Sequence, residues 1–491
     1  MGLKEKPQNG KLGVIVNEIR ENEKDPEKMK LKEYIAYALG NLSYGSIAKM
    51  GSDYLNYFYL SIGLDSVQSA SVISATKIWD SINDPIAATI IDNGKGKHGR
   101  FKPYLAPLVP VLAVLSVIMF LKPPFGTDRL TPMLVWCFFS YALWETVNTF
   151  SSVAFGAIGT VMSSDSQERT LYSTIGSIGN KLSGMVPGII PVVYDLTVKK
   201  GLIKSYNYYT ICAVLFAAIG CVAGLYTKNL KERIAPPKKQ EHFWENFVTF
   251  FQNKNLILLW STTLSALVSN ASNGGLFYIH SLNSFSLQAL QWTIAGIPHF
   301  LATTLSPSLL KRFKPTRIIV MTNLLSAACY FALYFIVKPI GYATPLGIGL
   351  MIALTALAWI PVGISDVAKN ILQLNTFDYT AAKTGKRAEA TSLVVTSMLS
   401  KWVFAAATML GGVALKLIGF KPDIKGEPVT QTPETKSGLF FMFSIFPAVG
   451  SLLSTIPILF FKLEGKEFEQ RMAELNERNA AVAELERTVA E

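Results

Sequence analysis

Apolar residues are grouped into long stretches along this chain, and most charged residues stand between the stretches. About twelve stretches reach roughly 20 residues, the length at which an α-helix crosses the hydrocarbon core of a bilayer. The pattern therefore predicts an all-α membrane protein with 12 transmembrane helices. The predicted spans start near residues 34, 66, 104, 132, 174 and 207 in the first half, and near residues 255, 287, 317, 343, 390 and 439 in the second.

One long hydrophilic stretch separates the two groups of six predicted spans. Its first part contains Pro236 and Pro237 and is typical of a linker. Aromatic residues in its second part recur at helical spacing, which fits either a short helix on the inner membrane surface or a linker helix docked on the bundle. Two groups of six spans are typical of transporters built from two repeated halves. We predict an N-terminal cytoplasmic segment at 1–33, a six-helix bundle at 34–227, the linker at 228–254, a second six-helix bundle at 255–462 and a charged helical cytoplasmic tail at 463–491.

The charge distribution supports membrane insertion and argues against a nucleic-acid partner. Charged residues make up 16% of the 491 residues, against about 25% in a typical soluble protein. With the N-terminus inside, roughly 31 of the 46 Lys and Arg residues fall in cytoplasmic segments and about 9 in outer loops. The net charge of +12 is then a positive-inside signal, which predicts a multi-pass plasma (inner) membrane protein with both termini cytoplasmic. We expect no cleaved signal peptide, because the polar start of the chain holds no apolar core with a cleavage site.

The sequence lacks the patterns of covalent or nucleotide-driven chemistry. It contains no GxxxxGK[ST] loop and no HExxH pair. Its 4 cysteines all lie inside apolar stretches, where they are typical of small core residues. These observations argue against an enzyme or an ATP-driven pump, and they predict no required cofactor.

Three charged residues interrupt the second predicted span. Lys77, Asp80 and Asp84 are three and four residues apart, so an α-helix places them in one narrow stripe. A charge at membrane depth costs at least about 2.5 kcal/mol, and such residues usually face a bundle interior and serve ions or substrates. Since hard cations prefer oxygen ligands, the two carboxylates and the neighbouring Asn83 predict a cation site with Lys77 as an internal counter-charge. The alternative is a structural salt-bridge network that holds helices together.

A second pair of charges lies in the first predicted span. Lys49 and Asp53 are four residues apart and share one face of a helix. This spacing favours a self-neutralising pair over a ligand site.

The sequence KIWDSINDP, followed by Asp92 and GRFKP, resembles the signature of the glycoside–pentoside–hexuronide:cation symporter family, whose type member is the melibiose permease. SYALWETVNTF is similar to the fourth helix of that family, and SSDSQERTLYS to the loop after it. NTFDYTAAKTGKRAEATSLVVTSMLSKWVFA is similar to the eleventh helix and the loop before it. The resemblance implies the major facilitator fold. It also implies Na⁺- or H⁺-coupled symport of a sugar, glycoside or sugar acid by alternating access.

The resemblance further implies roles for individual residues. Asp80 and Asp84 are the implied cation ligands, which would hold Na⁺ if the protein is sodium-coupled, with Asn83 nearby and Thr149 contributing from the fourth helix. Lys401 on the eleventh helix is implied to reach toward this site. Lys77 stands where the family usually has arginine, which keeps the charge but loses the bidentate fork. The implied inner gate turn, with a role in conformational switching, comprises Asp92, Gly94, Gly99, Arg100 and Lys102.

The residues with which the family binds sugars are absent from this sequence. Ser152 stands at the position of the galactoside-binding acid, Gly156 at that of the stacking aromatic and Ser177 at that of the contacting arginine. A galactoside is not the expected substrate, because charge-assisted hydrogen bonds to its hydroxyls are lost. Two interpretations of the remaining polar residues stay open: a differently charged pocket for an anionic sugar acid or glycoside, or ion pairs that only pack helices. The candidates for substrate binding are Ser152, Asp366, Lys369, Lys181, Glu145 and Trp359.

Three functions are compatible with these patterns. Symport predicts a small carbohydrate or sugar acid, a coupling cation and the lipid bilayer as partners. Lysolipid transport by the same fold predicts entry of the lipid tail through a side opening. A membrane sensor or scaffold that does not transport would use the C-terminal helix to recruit a cytoplasmic partner. The cation motif favours symport.

Overall fold

A computed structural model shows a chain of helices joined by short loops. It describes residues 28–94, 99–125, 129–163, 165–185, 187–234, 250–251, 254–310, 312–384, 389–424, 426–461, 468–470, 472–474 and 477–478. Within these ranges the β interactions are limited to an isolated bridge between Ile424 and Glu427. The predicted all-α class is confirmed. The predicted surface helix of the linker and most of the predicted tail lie outside the described residues.

The helices follow the order of the predicted spans. Those of the first half are α1 Leu31–Ser61, α2 Ser66–Asp92, α3 Leu108–Met119, α4 Leu130–Val161, α5 Ser166–Met185, α6 Ile190–Thr197 and α7 Ser205–Leu225. Those of the second half are α8 Lys254–Ser261, α9 Ser286–Leu310, α10 Pro315–Ala332, α11 Pro345–Thr384, α12 Glu389–Leu417 and α13 Pro433–Leu459. Between α8 and α9 the chain forms short 3₁₀, α and π turns, which include Asn273 in the left-handed conformation at φ 48°.

Six helical segments of the described chain are long and apolar enough to cross a membrane. They are Lys102–Met119, Ser205–Asn229, Pro315–Ile340, Pro345–Phe377, Val395–Leu417 and Pro433–Leu459. Helices α1, α2 and α4 are 31, 27 and 32 residues long, but charged residues within them lower their hydropathy: Lys49 and Asp53 on α1, Lys77, Asp80 and Asp84 on α2, and Glu145 on α4. The multi-pass membrane class is confirmed, and the count of twelve spans stays a prediction.

The chain divides into two compact units. The first comprises Met1–Leu64, Trp79–Gln240 and Pro422–Pro428. In this unit α1 packs against α5 and α7. Gly179 permits the close approach of α5 to α1, because a side chain at this position would collide with the backbone carbonyl of Ala38. The Ser43 hydroxyl on α1 donates to the carbonyl oxygen of Gly220 on α7 at 2.6 Å.

The second unit has its own helix packing. It comprises Asp65–Ile78, Glu241–Lys421 and Val429–Glu491. Helix α10 packs against α11 and α13, and α9 packs against α11. The first part of α2 belongs here, since the hydroxyls of Ser66 and Ser74 donate to the carbonyl oxygens of Gly412 and Ala405 on α12, at 2.9 and 2.7 Å. Helix α2 thus contributes residues to both units.

Candidate functional site

A carboxylate and a hydroxyl from two helices form a buried pair. Asp80 on α2 and Thr149 on α4 are each 2% exposed. Thr149 Oγ1 donates to Asp80 Oδ1 at 2.9 Å. A hydroxyl that gives its proton to a carboxylate leaves acceptor oxygens on both residues. The structure therefore brings together two of the residues that the resemblance implies as cation ligands.

The two other implied residues of the cation site follow Asp80 on α2. Asn83 is 4% exposed, and its Nδ2 has no hydrogen-bond partner among the described residues. A rotation of this amide exchanges its nitrogen and oxygen, so the group can offer either a donor or an acceptor. Asp84, one helical turn after Asp80, is half-buried. The stripe on α2 is therefore polar, with Asp80 and Asn83 buried and Lys77 and Asp84 half-buried.

A second buried carboxylate adjoins this pair. Glu145 lies one turn before Thr149 on α4, is 2% exposed and accepts a hydrogen bond from the Tyr141 hydroxyl. Tyr141 is also close enough to Asp80 for an electrostatic interaction. We refer to Asp80, Asn83, Tyr141, Glu145 and Thr149 as the Asp80 cluster. Glu145, a candidate for substrate binding, therefore lies in this cluster.

The two predicted charge partners are half-buried lysines in the second unit. Lys77 lies on α2, three residues before Asp80, and Lys401 lies on α12. Each interacts with neighbouring groups, as a cation at membrane depth requires. Their contribution to a cation site stays a prediction.

The implied gate turn is held by a residue that sequence reasoning did not identify. Glu232, which follows α7, accepts hydrogen bonds from the backbone N–H groups of Arg100, Phe101 and Lys102 at 2.9, 2.9 and 3.1 Å. Gly99 precedes them with φ of 105°, and a side chain there would meet the Glu232 carboxylate. Successive N–H groups around one anion form a nest that fixes the backbone. Of the other implied turn residues, Gly94 follows α2, and the side chain of Asp92 lies outside the described part.

Two more glutamates tie distant segments together near this turn. Glu33, at the start of α1, forms an ion pair with Arg233 at 2.7 Å. Glu168 on α5 accepts the backbone N–H of Met29 at 2.9 Å and the hydroxyl of Ser163 at 2.5 Å. These contacts fix the chain before α1 and after α7 to the loop that joins α4 and α5.

The sequence differs from the sugar-binding residues of its family at positions that lie beside open space or are exposed in the first unit. Ser152 on α4 is exposed, and its hydroxyl donates to the carbonyl oxygen of Thr149 at 3.3 Å. At Gly156, one turn later, no atom lies within 4 Å of the place that a Cβ would take. Ser177 and Lys181 on α5 are exposed as well.

The remaining substrate-binding candidates lie on α11 in the second unit. Asp366 is exposed and Lys369 half-buried, and the two charges interact. Trp359 donates from Nε1 to the Tyr330 hydroxyl at 3.3 Å, and its carbonyl oxygen lies 3.1 Å from His299 Nδ1. These contacts agree with a packing role, and substrate binding by these residues stays a prediction.

A loop from the second half of the sequence folds onto the start of α7. The backbone N–H of Ser205 donates to the carbonyl oxygen of Gly426 at 2.9 Å, and its hydroxyl donates to Asp423 Oδ2 at 2.8 Å. Gly426 adopts φ of 81° and lies against the ring of Tyr206. Burial raises the pKa of Asp423 to about 6, and the hydrogen bond from Ser205 offsets part of this rise. Pro422–Pro428 thereby belongs to the first unit.

Within the described ranges, no group of three or more His, Cys, Asp or Glu side chains is arranged to hold a metal ion. The Asp80 cluster offers hydroxyl and amide oxygens as well as carboxylates. Hard cations accept all of these ligands.

Comparison with known proteins identifies the family. The family described as MFS/sugar transport protein matches residues 36–465. The "Uncharacterized symporter YjmB" of Bacillus subtilis is 28% identical over 465 residues, which cover 92% of this chain and 97% of that relative. The "Glucuronide carrier protein homolog" of Escherichia coli is 22% identical over 472 residues, which cover 94% of this chain and 98% of that relative. The crystal structure of nucleoside transporter NupG matches with a TM-score of 0.53 at 13% identity, over 88% of this chain and 100% of that chain.

These matches agree with the structure and with the motifs in the sequence. The match to NupG shows the major facilitator fold. The family match and the symporter relatives confirm the predicted membership of the glycoside–pentoside–hexuronide:cation symporters. The chain therefore belongs to the MFS/sugar transport protein family and is a multi-pass membrane transporter, not an enzyme.

Proposed function

We propose that the protein is a secondary active symporter of the plasma (inner) membrane. It couples transport of a sugar, glycoside or sugar acid to Na⁺ or H⁺ by alternating access, with both termini in the cytoplasm. The observation that carries the proposal is the 2.9 Å hydrogen bond between Thr149 and Asp80. It holds a buried carboxylate and a hydroxyl from two membrane helices in one place, which is the ligand chemistry of a small hard cation.

The residues of α2 and α4 supply two kinds of ligand to the coupling site. Asp80 and Asp84 supply negative charge, and Thr149 and Asn83 supply neutral oxygen ligands. A carboxylate in a low-dielectric environment must be paired, coordinated or protonated. Na⁺ would be coordinated by both acids, whereas H⁺ would reside on one of them. Lys77 and Lys401 act as charge partners when the cation leaves.

Coupling follows from the reciprocity of binding. If the bound cation raises the affinity for the carbohydrate, the carbohydrate raises the affinity for the cation by the same factor. Coupling free energies of this kind are typically about 1–3 kcal/mol, which corresponds to roughly 5–150-fold in affinity. The relatives, which include a protein named as a symporter and a glucuronide carrier homologue, support this class of function.

The proposal is tested by transport in proteoliposomes. A thermal-shift panel of sugars, sugar acids and glycosides, with and without Na⁺, first identifies a ligand. Its uptake is then measured under a Na⁺ gradient, a pH gradient or neither. Asp80→Asn and Asp84→Asn remove the charges with little change of volume and should abolish cation-driven uptake while the yield of folded protein is kept.

The matched control is Asp195→Asn, which removes an acid of the same unit on α6, outside the Asp80 cluster. It should transport like the wild type. Wild-type uptake that is unaffected by both Na⁺ removal and collapse of the proton gradient would refute coupling. Normal cation dependence in Asp80→Asn would refute the assigned site.

A further inference from the structure

An apolar groove of about 390 Å³ lies on the surface of the first unit, between the end of α3 and the start of α4. It is lined by Ile118 of α3, Phe125 of the following loop and six residues of α4 between Pro132 and Leu143. Small-molecule sites in proteins typically measure about 300–1,000 Å³. The α3–α4 groove is therefore large enough to hold a ligand.

The lining residues of the groove form a surface of exposed apolar side chains. On α4 they recur every three or four positions, so they lie in one stripe of the helix. Val135, Phe139 and Leu143 in this stripe are 48%, 58% and 55% exposed. The membrane span of α3 ends at Met119, next to Ile118, so the groove begins at the boundary of the membrane. An acyl chain, which is as apolar as these side chains, is the expected occupant.

Trp136, which lines the groove, has an indole N–H without an acceptor. Its Nε1 is buried and has no hydrogen-bond partner among the described residues. By contrast, Trp144, two turns later on α4, donates from Nε1 to the Ser116 hydroxyl of α3 at 2.7 Å. Trp136 as a whole is half-buried, and rotation about χ2, a soft torsion, can turn its N–H toward the groove. Since tryptophan side chains favour the depth of lipid head groups, an ester carbonyl of a phospholipid would supply the acceptor.

Two basic residues flank the groove where the chain leaves α3 and enters α4. Lys122 and Arg129 are exposed, and they stand three residues before and four residues after Phe125. The Lys122 ammonium lies 4.7 Å from the centre of the Tyr206 ring, a cation–π contact that fixes its position. The same segment contains Asp128, which lies outside the described residues, and one net positive charge remains. A positively charged rim beside an apolar groove complements a lipid with an anionic head group.

We propose that the α3–α4 groove binds a phospholipid with an anionic head group. One acyl chain lies against the stripe of α4, an ester carbonyl accepts the N–H of Trp136, and the head group contacts Lys122 and Arg129. The site lies outside the Asp80 cluster, so this inference does not depend on the proposed symport. Because α4 also carries Thr149, the bound lipid stabilises the helix that supplies this residue to the cluster.

The test compares two phospholipids that differ only in the head group. Purified protein in detergent is titrated with phosphatidylglycerol or with phosphatidylcholine of the same acyl chains, and bound lipid is counted by native mass spectrometry. We expect phosphatidylglycerol to bind at least about fivefold more tightly. Lys122→Gln and Arg129→Gln should each weaken its binding by about fivefold, the effect of one basic residue near an anionic lipid. The binding of phosphatidylcholine should change little.

Three further variants locate the lipid. Val135→Trp fills the groove and should lose the binding of both lipids. Val114→Trp should keep it, because Val114 is an exposed residue of α3 that does not line the groove. Phosphatidylglycerol with brominated acyl chains, which quench nearby tryptophan fluorescence, should quench the wild type more than Trp136→Phe.

Lys200→Gln is the matched control for charge, because Lys200 is an exposed lysine of the first unit outside the groove. It should bind phosphatidylglycerol like the wild type. Three results would overturn the inference: the two lipids bind equally, Lys122→Gln and Arg129→Gln behave like Lys200→Gln, or brominated lipid quenches Trp136→Phe as much as the wild type. A dimer that Val135→Trp converts to a monomer without loss of lipid binding would assign the groove to a second copy of the chain and would overturn it as well.

Discussion

Asp423 should make the stability of the protein depend on pH with a definite sign. The carboxyl is 9% exposed and accepts the Ser205 hydroxyl at 2.8 Å. Burial raises its pKa from 3.8 to about 6. Because the folded state then favours the protonated carboxyl, its contribution to stability is fully present below about pH 4 and is lost as the pH rises through about 6.

The size of the effect follows from the shift in pKa. About two pKa units at 1.36 kcal/mol per unit give a difference of about 3 kcal/mol between the acidic and alkaline limits. A pH of 5 lies about one unit below the pKa of the carboxyl in the folded state, so this group is mostly protonated there. In the unfolded chain the carboxyl is already mostly ionised at pH 5. Between pH 8 and pH 5 the wild type should therefore gain about 1.4 kcal/mol. In a chain of this length that gain corresponds to roughly 1–2 °C in melting temperature.

Asp423→Asn isolates this contribution, because the amide keeps an oxygen that accepts the Ser205 hydroxyl but carries no charge. Melting temperatures of variant and wild type are measured by tryptophan fluorescence at pH 5 and pH 8 in one detergent. When the melting temperature of the wild type is subtracted from that of the variant, the contributions of all other titrating groups cancel. This difference should be about 1–2 °C larger at pH 8 than at pH 5. Ser205→Ala removes the hydrogen bond that favours the ionised form, so it should steepen the pH dependence of the wild-type carboxyl. A variant-minus-wild-type difference that is constant, or that falls toward pH 8, would refute the reasoning.

Three further predictions follow from the contacts. Glu232→Ala leaves three backbone N–H groups of the gate turn without their acceptor and should lower the free energy of unfolding by about 1–3 kcal/mol. Glu232→Gln should lower it less. Thermal unfolding measures both effects, and a Glu232→Ala variant as stable as the wild type would contradict the prediction. Gly179→Ala should destabilise by about 1–3 kcal/mol through collision with Ala38, while Gly156→Ala, which meets open space, should not; equal melting temperatures would contradict the packing. Thr149→Val should raise the cation concentration for half-maximal uptake by about tenfold or more, with Thr149→Ser near the wild type; an unchanged concentration would show that the hydroxyl is not a ligand.

Features that depend on local periodicity could be predicted from the sequence. Long apolar stretches indicated the all-α membrane class, and the three- and four-residue spacing of Lys77, Asp80 and Asp84 placed them in one stripe of α2. The contact between Asp80 and Thr149 joins residues 69 positions apart. It was expected only because both residues match a family motif, since helical periodicity alone does not pair α2 with α4.

Contacts between distant polar residues could not be predicted. Glu232 lies in a charged stretch typical of a solvated linker, yet its carboxylate holds a turn 132 positions earlier. Asp423 meets Ser205 across 218 positions, in a loop without a motif. Tyr141 is different, because it stands four residues before Glu145 on a predicted helix, and this spacing could have indicated their hydrogen bond.

The central claim is that a small cation bound at Asp80 and Asp84 controls substrate affinity. The most direct measurement is the dissociation constant of the transported ligand for purified protein, determined with and without Na⁺ at pH 5.5 and pH 7.5, in the wild type and in Asp80→Asn. We predict that Na⁺ or protons strengthen ligand binding to the wild type by roughly 5-fold or more, and that Asp80→Asn binds the ligand with no dependence on either cation. The account would be contradicted if the affinity of the wild type for the ligand did not depend on either cation. It would also be contradicted if the affinity of Asp80→Asn still depended on one of them.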